Sequence, residues 1–151
     1  MNWQTTLYFS SIVLTCVLTG LLTWYAWKHQ RVPASRAYMR LTLSECLFAL
    51  AEILSVLSPS STTALFWFQA RYLAGALMGI FWFVFALEYS GHREWLSKPL
   101  LIGLFVIPFV TQVLLWSNNL HGLWMKQEAG FTQNGPFWIA DITSRIPGLA
   151  T

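Results

Sequence analysis

Four side chains of a kind that recognition or proton chemistry uses lie inside apolar runs of this sequence: Glu45, Glu52, Arg71 and Gln112. Glu45 and Glu52 are seven residues apart, nearly two helical turns, so they project from one helix face together with Ala49. Glu52 stands about six residues before the polar turn Ser58-Pro59-Ser60-Ser61-Thr62-Thr63, and Arg71 about six residues into the helix that follows. At about 1.5 Å per residue both lie roughly 9 Å from the same end of neighbouring helices. That depth predicts a Glu52–Arg71 ion pair, with Gln69 or Tyr72 in support. A charge at mid-membrane costs roughly 2.5–3.5 kcal/mol, less nearer the surface, so pairing is the expected resolution. Such a pair locks two helices together, or it lines a ligand pocket or switches between two packings. A second pair is expected between Glu88 and Arg40, because Glu88 near a helix C-terminus meets an unfavourable macrodipole and gains from a nearby cation.

Other chemistry finds no support. His29, His92 and His121 fall in different loops, without the i, i+4 spacing of a metal site, so no metal or haem is expected. Cys16 and Cys46 lie within apolar runs, form no CxxC, and read as buried structural thiols. There is no Gly-rich phosphate loop, no G-x-S-x-G elbow and no H-E-x-x-H. The chain is therefore not expected to be an enzyme or to hold a cofactor. The net charge of +3 forms no basic stripe interleaved with aromatics, which argues against a nucleic-acid partner.

The elements that position these residues are those of an integral membrane protein. Of 151 residues 56% are hydrophobic and 10% charged, where a soluble domain carries about a quarter. Helical spans are predicted at about 5–27, 38–57, 65–89 and 99–116, within one membrane domain covering 1–151. The first run has no basic leader, exceeds an ordinary signal h-region and is expected to remain as an anchor. Trp24, Tyr25 and Trp27 close it as an interfacial belt, and Pro33 breaks the chain beyond it. Six Lys/Arg residues (Lys28, Arg31, Arg36, Arg40, Arg93, Lys98) fall in two connections, against Lys126 and Arg145 on the other side. This bias places the six in the cytoplasm. The expected fold is thus all-α, a four-transmembrane-helix antiparallel bundle with its N-terminus outside and an extracytoplasmic segment at 117–151. Gly130, Asn134-Gly135-Pro136 and Pro147-Gly148 prevent that segment from reading as a fifth span. Gly75-x-x-x-Gly79 lets another backbone approach, for intramolecular packing or a homodimer. Pro108 should bend the fourth helix, just before Thr111 and Gln112.

With these residues laid out, the chain resembles the N-terminal seven-helix membrane region of bacterial sensor histidine kinases. The resemblance covers roughly Leu7 to Trp138 and rests on Ala51–Ser60, on Trp67–Gly75 leading into Trp82–Gly91, and on Trp116–Trp124 with His121. It implies a signal-input module in the cell (inner) membrane. Any small-molecule ligand would lie near the outer side, around Glu52, Arg71, Gln112 and His121. The family ordinarily has a proline in its third helix, where this chain has Met78-Gly79, and continues through three more helices into kinase or cyclase domains. Against that pattern the sequence resembles a front part truncated after the fourth helix, with no phosphoacceptor histidine box and no ATP-binding motif. The partners implied are membrane lipid and a homodimer or a C-terminal signalling region. The alternative is a small transporter or channel subunit with a polar path through Glu45, Glu52 and Arg71.

Overall fold

The computed structural model describes residues 3–117, 131–134 and 137–140. Among the described residues there are four long helices: α1 (Trp3–Lys28), α2 (Ser35–Val56), α3 (Ser61–Tyr89) and α4 (Lys98–Trp116). A short 3-10 turn, Arg93–Trp95, stands between α3 and α4.

Local chemistry sets the helix boundaries. Lys28 ends α1, where a cation suits the dipole, and its Nζ lies 4.0 Å from the centre of the Trp24 ring. Pro33 cannot continue a helix, and Ala34 turns the chain in the left-handed region at φ 61°. The Ser35 hydroxyl then donates to the Ala26 carbonyl at 2.9 Å and ties the turn to α1. Helix α2 consequently starts three residues before the predicted Tyr38. Helix α3 likewise starts at Ser61, ahead of the predicted Leu65, because Ser60 and Thr63 form a reciprocal capping box after Pro59. Gly91, at φ 81°, closes α3: the His92 amide reaches back to the Leu87 carbonyl at 2.9 Å in a Schellman-type cap. Pro99 occupies the first turn of α4, where its missing amide costs nothing.

Among the described residues three helices are long and apolar enough to cross a membrane: Thr6–Lys28, Ser61–Tyr89 and Lys98–Trp116. The exception is α2, which carries Arg36, Arg40, Glu45 and Glu52. It is also the most enclosed, with ten buried residues against four in α3 and three in α4. Helices α1 and α3 both pack on α2, and α4 packs on α3. The bundle thus has a polar helix at its centre and apolar helices around it. Ser, Thr and Ala at the α2 contacts let neighbouring backbones come close.

Contacts run in opposite order along neighbouring helices. On α1 and α2, Ala26 meets Ser35, Thr23 Oγ1 donates to Thr42 Oγ1 at 3.0 Å, and Cys16 Sγ lies 4.0 Å from Cys46 Sγ. On α2 and α3, Ser55 donates to the Ala64 carbonyl at 3.1 Å, while Tyr38 and Phe85 stack with centroids 5.4 Å apart. Near that second end Ala37, Ile80 and Val84 form a buried cluster, against which Phe85, Leu96, Leu101 and Leu104 pack.

The helices follow the all-α expectation, and two short strands pair within the segment not expected to form a fifth span. Phe131–Asn134 and Phe137–Ala140 are short strands, paired antiparallel from Phe131 opposite Ala140 to Asn134 opposite Phe137, and the second strand comes against α2. Asn134-Gly135-Pro136, which interrupts any fifth helix, separates two runs rich in aromatic and β-branched residues, the pattern of a hairpin.

Candidate functional site

Glu52 is the point on which three helices converge. It sits near the C-terminal end of α2 and is only 8% exposed. From α3, Arg71 Nη1 donates to its Oε2, and from α1 the Tyr8 hydroxyl donates to its Oε1. Both carboxylate oxygens are therefore engaged, one by a cation and one by a neutral donor. Arg71 is further enclosed by rings, with its guanidinium carbon 4.6 Å from the Phe68 centroid, 5.7 Å from Phe48 and 5.8 Å from Tyr72. A guanidinium stacks on aromatic faces while its edge remains free for a carboxylate, which a lysine cannot do as well. Among the described residues no buried side-chain nitrogen or oxygen lacks a partner.

Tyr8 was not among the expected partners of Glu52. It lies near the start of α1, at the end of the bundle where α2 finishes and α3 begins, so depth matching was the signal available. Tyr72, expected as a direct support, contributes its ring. Gln69 instead serves a second contact, donating from Nε2 to the Leu115 carbonyl at 3.4 Å, while Gln112 Nε2 donates to the Gln69 carbonyl at 3.4 Å. These two hydrogen bonds, one donated from each helix, pin α3 to α4. Gln112 also lines an apolar groove of about 600 Å³ between α3 and α4, together with Leu73, Leu77, Phe105 and Pro108. The helix passes through Pro108, which is buried, and the Thr111 hydroxyl returns to the Ile107 carbonyl at 2.9 Å.

The other expected positions divide. Glu45 shares the Glu52 face but is half-buried, and among the described residues it has no ion-pair partner. The predicted Glu88–Arg40 pair is replaced: Glu88 Oε1 lies 4.0 Å from Arg93 Nε. The 3-10 turn after Gly91 folds Arg93 back toward the end of α3, which gives Glu88 a nearer cation. Arg40 nevertheless lines the same cavities as Glu88. In Gly75-x-x-x-Gly79 the two glycines differ. A Cβ at Gly75 would touch the Phe48 ring at 3.4 Å, whereas one at Gly79 would meet nothing within 4 Å. Gly75 therefore serves packing within the chain. His121 lies outside the described residues. No group of three or more metal-ligating side chains occurs among those described.

Comparison with known proteins adds one finding. The family described as the N-terminal 7TM region of histidine kinase matches residues 11–150. No curated protein and no solved structure matches the chain.

Proposed function

The chain belongs to the family of N-terminal 7TM regions of histidine kinases, and we propose that it is the signal-input module of such a kinase. The match over 11–150 carries this reading. The chain is a membrane protein by family and by its three long apolar helices. Within it we place a single membrane domain over 1–151, an antiparallel four-helix bundle crossing the cell (inner) membrane several times. Its N-terminus and the segment after α4 lie outside, as the six-to-two distribution of Lys/Arg between connections favours. Helix α2 crosses despite its charges because α1 and α3 cover it, and because Glu52 carries its counter-charge with it.

In this arrangement the Tyr8–Glu52–Arg71 node lies toward the outer face. A small-molecule ligand arriving near Glu52, Arg71, Gln112 and His121 would act by binding one helix packing better than another. Separating Arg71 from Glu52 strands two charges, so any second packing must offer each a new partner. That requirement makes the node a two-state element rather than a soft joint. In this reading a C-terminal signalling region takes up the change in packing, and a second copy of the chain is a partner in a homodimer rather than the output.

Reading the coding DNA in frame beyond codon 151 tests the proposal. Further hydrophobic helices followed by a phosphoacceptor histidine box are expected. A transport component, or an unrelated enzyme, encoded in that frame would overturn it.

A further inference from the structure

Opposite the Glu52 node, the end of the bundle carries two adjoining cavities that share Arg40, Glu88 and Arg93. The first, about 410 Å³, is walled by the connection between α1 and α2 and adds Arg31 and Arg36 to the shared residues. Four guanidinium groups against the one carboxylate of Glu88 leave a surplus of three positive charges. Arg31, Arg36, Arg40 and Arg93 are all exposed, and the N-terminus of α2 opens beside them, adding its partial positive charge. Among the described residues Glu88–Arg93 is the one ion pair at this end, and it is long at 4.0 Å. The other three arginines thus face solvent or headgroups with no protein carboxylate to neutralise them.

The second cavity, about 540 Å³, continues from the shared residues between α3 and α4. Its remaining lining is apolar: Phe81, Val84, Leu96, Leu101 and Phe105. A polar, cationic chamber joined to an apolar slot at the end of membrane-crossing helices has the form of an amphiphile.

We propose that this end of the bundle is a binding site for an anionic phospholipid, its phosphodiester held by Arg31, Arg36, Arg40 and Arg93 and one acyl chain seated against Phe81, Leu101 and Phe105. A soluble phosphate ester would satisfy the first chamber alone and leave the apolar slot open to the bilayer. The continuity of the two cavities therefore favours a lipid. Glu88 also lines both cavities, but its single negative charge is outnumbered by the four guanidinium groups. Guanidinium groups suit the task because their planar fork meets phosphate oxygens two at a time. The site stands apart from the Glu52 node and does not depend on what the node senses.

Native mass spectrometry of the full chain, released from detergent with dioleoyl phosphatidylglycerol or dioleoyl phosphatidylcholine, tests the site. The wild-type chain should retain phosphatidylglycerol at least about tenfold better, with each arginine contributing about fivefold at a membrane surface. The Arg36→Gln/Arg40→Gln/Arg93→Gln variant should lose that preference, whereas Lys28→Gln, whose amine lies over Trp24, should keep it. These arginines are exposed, so folding is not at risk, and circular dichroism checks it. Leu101→Trp should fill the slot and weaken lipid retention several-fold. Equal retention of the two lipids by the wild-type chain would overturn the proposal. So would an undiminished preference in the triple variant, or full displacement of lipid by millimolar inorganic phosphate or glycerol phosphate.

Discussion

Replacing Arg71 by Met removes the one cation that faces Glu52 while keeping most of the side-chain volume. Glu52 then remains buried, with the Tyr8 hydroxyl as its remaining partner. Breaking a buried ion pair from one side costs about 3–5 kcal/mol, and the 20% exposure of the Arg71 side chain puts this case near about 3 kcal/mol. Glu52→Met should cost less, about 2 kcal/mol, because the stranded guanidinium keeps the Phe68, Phe48 and Tyr72 rings and has a long stem to reach water. The double variant leaves no buried charge and should cost about 2 kcal/mol in total, so the coupling energy is about 3 kcal/mol. Tyr8→Phe should cost about 0.6–1.7 kcal/mol in the wild-type background and close to nothing once Glu52 is Met. Reversible unfolding in mixed detergent–lipid micelles, followed by circular dichroism, measures all of these. Additive costs for Arg71→Met and Glu52→Met, or an Arg71→Met cost below about 1 kcal/mol, would mean that the two side chains are not a coupled buried pair.

Further outcomes follow from other contacts. Ala34→Gly should stabilise the chain by about 0.5–1 kcal/mol in the same unfolding assay, because Ala34 holds φ 61° without the side chain contributing a cap. Copper phenanthroline, as oxidant, should join Cys16 to Cys46 within the monomer, since their sulfurs are 4.0 Å apart, and non-reducing electrophoresis with mass mapping reads the product. Gly75→Leu should lower the unfolding midpoint by driving into the Phe48 ring, while Gly79→Leu should leave it unchanged. Glu45→Gln should leave stability unchanged or raise it, in contrast to Glu52→Gln, because no ion pair is lost at Glu45.

How much was legible in the residues depended on how far each contact could be reckoned from chain depth. Glu52 and Arg71 flank one short turn at equal distances, so simple helical rise brings them level. Tyr8 is equally level but belongs to a helix reached through a longer connection, and a tyrosine near a helix start reads as an interfacial ring. The Arg40–Glu88 expectation failed for the opposite reason. The macrodipole argument called for a cation near Glu88, but the turn after Gly91 supplies Arg93 instead, and that turn depends on a left-handed glycine and a 3-10 segment. Hydroxyl contacts such as Ser35 to Ala26 and Thr23 to Thr42 are not legible in the sequence, because a serine or threonine inside a span has many local carbonyls to choose from. The short strands near Asn134 are only four residues each, too brief for alternation to announce them.

We propose that these helices form the input of a histidine kinase, with the Glu52 node among the elements that set its state. The most direct measurement is autophosphorylation of the membrane-embedded kinase carrying this region, in vesicles, comparing wild type with Glu52→Gln at equal membrane content. A shift of basal phosphorylation by about threefold or more is predicted, since about 0.7 kcal/mol of bias between two packings suffices for it. Phosphorylation identical in rate and extent, with Glu52→Gln fully inserted and folded, would mean that the node does not set the kinase's state.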